Sequence, residues 1–110
     1  MRISARKHEA VYREIPACYR PGMRDIELQI EIEKRMRVHG SLGYFRAFGS
    51  NMDIFMGSLL AGENAGEPSP FDFALGGTGM HASGPLGANG TLLREGTTVM
   101  ADMSGNYTAY

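Results

Sequence analysis

Gly96-Thr-Thr-Val-Met-Ala-Asp102-Met-Ser-Gly-Asn-Tyr-Thr-Ala-Tyr110 is the stretch that decides how this chain reads. Thr97-Thr-Val-Met-Ala101 is apolar and β-branched with no helical period, so it predicts a buried strand with Asp102 at its end. Ser104-Gly105-Asn106 then turns the chain into a second strand that stops abruptly at Tyr110. An ionised carboxylate at the end of an interior strand is costly unless a cation, a dense set of donors or a raised pKa relieves it. Asp102 also suits the turn that follows, because Asp often starts such turns. Turn former and buried site carboxylate are both open on spacing alone.

Working outward, glycine divides the chain. Gly22 alone precedes residue 40, and the other fourteen of the fifteen glycines lie from Gly40 onward, which predicts two helices followed by a turn-rich β region. Ser4 is placed to cap a first helix, with Val11, Ile15 and Cys18 at helical spacing and Arg20-Pro21-Gly22 closing it. A second helix is expected from about Met23 to Val38, with Asp25 and Glu27 near its positive end and Lys34, Arg35 and Arg37 near its negative end. Ile26, Leu28, Ile30, Ile32 and Met36 give it a broad apolar stripe to pack on a sheet. Tyr44–Phe48, Ile54–Leu60 and Phe71–Leu75 are strand candidates, and Ala61–Pro70 is turn chemistry inside one domain. The expectation is a single partial α+β domain over 1–110, helical over 1–39 and β-rich over 40–110.

Composition bounds the function. A chain of 110 residues is one domain at most and buries roughly two thirds of its unfolded surface. The net charge of −1 gives no general pull toward nucleic acid or membrane. Its distribution is uneven: residues 1–46 hold ten of the eleven basic and six of the twelve acidic residues, so a cation would prefer the remainder. Cys18 is the only cysteine, which excludes an internal disulfide and reads as a small apolar core residue. No long apolar run follows the N-terminus, so neither a signal peptide nor a transmembrane span is expected, and the cytoplasm is the default compartment. The eight methionines read mostly as core filler.

Gly77-Thr-Gly79-Met-His-Ala82 fits the glycine pattern of dinucleotide sites, but that chemistry needs a helix to start at the turn, and Ser83-Gly-Pro-Leu-Gly87 cannot begin one. The nucleotide reading is therefore rejected. His81 remains as a candidate, projecting from a glycine-rich loop that a ligand can approach closely. His8, in a charged helix start, and His39, in a helix C-terminal turn, have weaker claims.

Arg-Pro-Gly-Met-Arg-Asp25 before an amphipathic helix, a glycine-rich loop bearing His81, and the segment from Gly96 to Tyr110 together resemble the pita-bread metallopeptidases. Within them the chain is most similar to the Xaa-Pro dipeptidase and aminopeptidase P branch. That family pattern has an apolar strand ending in Asp, Gly two positions later, Tyr five later and Gly-Tyr at seven and eight. Here those places hold Asp102, Ser104, Tyr107 and Ala109-Tyr110, so order and spacing are kept and both glycines are replaced by small residues.

The resemblance implies the N-terminal half of a catalytic domain, with two helices on a curved, mainly antiparallel sheet. It implies two divalent metals (Mn, Co or Zn) held by two Asp, one His and two Glu. Asp102 matches the first Asp, and the second would lie three residues past Tyr110. His81 resembles the non-ligand His that contacts substrate near the scissile bond, although Met80 stands where the family often has Pro. Two metals about 3.5–4 Å apart share a water, lower its pKa and polarise the carbonyl it attacks. One carboxylate cannot do this, so the implied reading is part of an exopeptidase cleaving Xaa-Pro bonds, inactive and without tightly bound metal as these residues alone. A peptide substrate and a possible homodimer come with the family. A non-catalytic pita-bread binding domain and a metal-free, creatinase-like hydrolase are the alternatives. Methionine aminopeptidase fits less well, since no Cys-His-Gly surrounds His81.

Overall fold

The computed structural model describes residues 1–46, 53–70 and 75–108. Its first helix, α1 (Arg2–Cys18), is rich in Ala, Arg, Lys and Glu, which favour helix. Ser4, Val11 and Cys18 recur every seven residues and form its buried face. Ser4 is therefore a buried helical residue rather than the expected cap, and its hydroxyl lies 2.8 Å from that of Thr108. Pro16 stands in the last turn, and the helix ends two residues later at Cys18, before an extended Tyr19.

Helix α2 (Asp25–Val38) starts two residues later than expected. The Arg24 backbone N–H donates to the Glu27 carboxylate at 2.7 Å, half of a reciprocal cap. At the other end the Ser41 N–H bonds the Met36 carbonyl at 3.0 Å and the Gly40 N–H bonds that of Arg37 at 2.9 Å, the pair of bonds that defines a Schellman stop. Leu28, Ile32 and Met36 are buried, whereas Ile30 is exposed. The stripe is thus narrower than its composition suggests.

The described strands form two antiparallel pairs, β1 (Phe45–Arg46) with β2 (Asp53–Ile54) and β3 (Gly57–Ala61) with β4 (Val99–Met103). The expected strand Ile54–Leu60 is split at Gly57, whose φ of 116° suits glycine and lets the chain change partners. For Tyr44–Phe48, only Phe45–Arg46 is strand, and 47–48 lie outside the described residues. For Phe71–Leu75, residues 71–74 lie outside them and Leu75 is not in a strand. Ala61–Pro70 contains a 3-10 helix, Gly62–Gly66.

Val11, Cys18, Leu28, Ile32, Met36, Leu59 and Met103 pack into one core between the helices and the inner face of β3–β4. Each large apolar side chain fully buried there contributes about 1.5–3 kcal/mol. The architecture is α+β, two helices packed on an antiparallel strand pair, and it is compatible with half of a pita-bread fold. Cys18 is buried and free, as its apolar reading requires. Met23, Met36, Met56 and Met103 are core residues, whereas Met80 and Met100 are exposed. No helix among the described residues is long and apolar enough to cross a membrane.

Candidate functional site

His81 sits at the tip of a loop whose two legs run from Gly76 to Gly87. The Gly87 N–H bonds the Gly76 carbonyl at 3.0 Å, the Gly79 N–H bonds the Gly87 carbonyl at 3.3 Å, and the Gly84 N–H closes the tip on the His81 carbonyl at 2.9 Å. The legs meet so closely that a Cβ on Gly79 would collide with the Gly84 carbonyl, which is why this loop is written in glycine. No helix starts at this turn.

The ring of His81 is exposed and its orientation is fixed locally. Nδ1 accepts the Ser83 backbone N–H at 3.2 Å and lies 2.9 Å from the Ser83 hydroxyl. An accepting Nδ1 leaves the proton of the neutral ring on Nε2, a tautomer inferred from the hydrogen-bond network. Nε2 is then a donor. The loop borders a cleft of about 370 Å³, with Ile26 and Gln29 of α2, Phe55 before β3, Ser58 on β3, and Met80 and His81 among its lining. Among the described residues no Asp, Glu, Lys or Arg stands in that lining.

Asp102 lies on β4 directly opposite Ser58 of β3. Opposed residues of an antiparallel pair project to the same face, so Asp102 and the cleft residue Ser58 share one side of the sheet. The expectation of a buried Asp102 is overturned: the residue is exposed. The physical reason is how far the glycine loop extends. Gly87 lies over Ser58 and Gly77 over Leu60, so the loop covers β3, while Met100 and Asp102 on the neighbouring strand stay open to solvent. Water solvates the Asp102 carboxylate, and no buried partner is required. Asp102 is not among the residues lining the His81 cleft. The structure thus places the two candidate residues on a common face without joining them in one pocket.

The segment after Asp102 is held by α1 in a way the sequence reading missed. The ladder bonds flanking β4 leave the Met103 N–H and carbonyl pointing away from β3, and the Tyr12 hydroxyl takes both, donating to the carbonyl at 2.9 Å and accepting the N–H at 3.3 Å. His8 Nε2 accepts the Gly105 N–H at 3.2 Å, and its ring meets that of Tyr107 edge-on at 5.3 Å. Lys7 lies 5.4 Å above the Tyr107 ring. Ser4, His8 and Tyr12 follow at four-residue intervals, so they form one helical face. That spacing was legible as a polar face, but nothing in it says which backbone the face would bind. Burial raises the pKa of the Tyr107 phenol, with nearby Tyr12 adding to the effect.

Two further polar residues organise the site. Asp25 is fully buried, and its carboxylate accepts the backbone N–H groups of Asn89 at 3.1 Å, Gly90 at 2.8 Å and Ile26 at 2.7 Å. The macrodipole accounts for a charge at this helix start, and the tertiary structure adds that it anchors the chain leaving the His81 loop. Asn64, on the 3-10 helix, is buried and bonded to both legs of that loop. His39 accompanies Glu14 at 2.9 Å and Arg35 stands 3.1 Å from the same carboxylate, tying α1 to α2. The His39 hydrogen bond holds the Glu14 pKa below its ordinary value, against a smaller opposing effect of burial.

Among the described residues no group of three or more His, Cys, Asp or Glu side chains is arranged to hold a metal ion. Asp102 could supply one ligand, but the described residues by themselves do not bring together the several ligands that a dinuclear centre needs. No curated protein and no solved structure matches the chain. A family description does match, and it spans every position: over residues 1–110 the chain belongs to metallopeptidase family M24.

Proposed function

We propose that this chain contributes to a divalent-metal-dependent exopeptidase that hydrolyses Xaa-Pro bonds, with Asp102 as one metal ligand and His81 as a substrate contact. The family match supports a metallopeptidase at the level of reaction class. The narrower reading is supported by the segment from Asp102 to Tyr110, which keeps the Xaa-Pro branch's order and spacing. The observation that carries it structurally is the Ser58–Asp102 register, which sets a solvated carboxylate on the face that carries the His81 cleft. In that cleft Nε2–H of His81 is a donor available to a peptide carbonyl, and Ile26, Phe55 and Met80 offer apolar walls to an uncharged side chain. Mn, Co or Zn as the metal, a cytoplasmic location and a homodimer belong to the same proposal.

These residues alone are proposed to be inactive, because Asp102 has no ligand cluster around it among the described residues. The test is hydrolysis of an Xaa-Pro dipeptide by the pure chain with added manganese or cobalt. No turnover above the metal-only blank is expected. Turnover by the homogeneous protein would overturn the proposed inactivity.

A further inference from the structure

Loops that present a reactive side chain need something rigid behind them, and glycine supplies none. Between Gly76 and Leu86 only Gly77 is buried and every other position of the His81 loop is exposed or partly buried, so apolar packing alone does not hold it. Behind it stands Asn64, 4% exposed. Its Nδ2 donates to the Gly87 carbonyl at 3.0 Å on the returning leg, and its Oδ1 accepts the Thr78 backbone N–H at 2.9 Å and the Thr78 hydroxyl at 3.3 Å on the outgoing leg. One amide therefore ties both legs. The Gly87 carbonyl it holds is the one that also receives the Gly79 N–H, two residues before His81. From Thr78 the network continues: the Asn89 side chain donates to the Thr78 hydroxyl at 3.1 Å, and the Asn89 backbone N–H donates to the buried Asp25 carboxylate at 3.1 Å. A chain of bonds runs from the start of α2 through the loop to the 3-10 helix.

We propose that Asn64 is the positioning residue for His81, fixing the loop from behind so that the ring is held at the cleft. The role rests on reading His81 as the substrate contact, and Asn64 itself touches no substrate. An amide is suited to it because one group must donate to a carbonyl and accept from an N–H at once. Carboxylate can only accept, and alanine can do neither.

Asn64→Asp and Asn64→Ala in the 110-residue chain test this by amide hydrogen exchange and by the nitrogen shifts of the His81 ring. Asn64→Asp keeps the shape and the two bonds from Thr78 but sets a charge against the Gly87 carbonyl. It is expected to speed exchange at Gly79 about tenfold, the scale of one lost buried hydrogen bond, while β3 and β4 keep their protection. Asn64→Ala should release both legs and average the His81 ring shifts away from the Nε2–H tautomer. Unchanged Gly79 exchange and ring shifts in Asn64→Asp would overturn the proposal, as would a uniform loss of protection across β3 and β4, which marks a merely structural residue. If Asn64→Ala does not fold, the isosteric Asp variant decides alone. Failure of the His81 reading looks different: adding an Ala-Pro dipeptide to the unmodified chain would leave the His81 ring shifts unmoved, with the Asn64 effects intact.

Discussion

At Glu14 a single carboxylate couples two helices and makes part of the stability depend on pH. His39 and Arg35 favour its ionised form, so its folded pKa lies below the ordinary 4.5. A group depressed on folding adds stability that is fully present above its unfolded pKa and is lost as pH falls through the folded one. Glu14→Gln should therefore flatten the acid limb of the stability profile below about pH 4.5, with little change in its slope at neutral pH. Denaturant unfolding at several pH values would read this out, and an unchanged acid limb would remove Glu14 from the account. Charge patterning made Glu14 visible only as one acidic residue in a helix. Its partners lie 21 and 25 residues away, a separation that no helical period encodes.

At the scale of elements, the ends of α2 are held by different means. Its C-terminus is a local matter of Gly40 and the carbonyls of Met36 and Arg37, which sequence rules anticipate. The N-terminus depends on Asp25, whose carboxylate serves the backbone of Asn89 and Gly90 more than sixty residues away. Asp25→Ala leaves those part-buried backbone donors without their fully buried acceptor, so a destabilisation of about 2–3 kcal/mol is expected. The urea midpoint measures it, and a loss below about 1 kcal/mol would show that water replaces the carboxylate. Both helices were readable from period and composition, because their buried faces follow a 3.6-residue repeat. The strand boundaries were not. Ile54–Leu60 reads as one apolar run, yet it serves two different partners on either side of Gly57.

For the whole molecule, the described residues contain no group of three or more metal-ligating side chains. Folding rests on the shared core and on the α1 face that grips Met103, Gly105 and Thr108. Chelator is therefore expected to shift the thermal midpoint of this chain by less than about 1 °C, since a ligand stabilises only in proportion to its binding. A drop of several degrees on removing divalent ions, restored by manganese, would show a bound metal that contributes to stability. The β3–β4 pair carries a further consequence of sheet geometry. The Tyr12 hydroxyl occupies the outward backbone groups of Met103, which blunts that end of β4 against pairing with another strand.

By itself the sequence determined the helices, the glycine-rich β region, the α+β class and the family signature around Asp102, because these depend on local period, turn chemistry and spacing along the chain. Only the tertiary structure decided that Asp102 is solvated, that it stands across from Ser58, and that Asn64 and Asp25 brace the loop of His81. Those outcomes depend on which strand the loop covers and on contacts between distant segments, and the chain's local pattern encodes neither. The closing segment is accordingly a strand end whose carboxylate faces water beside the cleft, gripped from behind by the first helix.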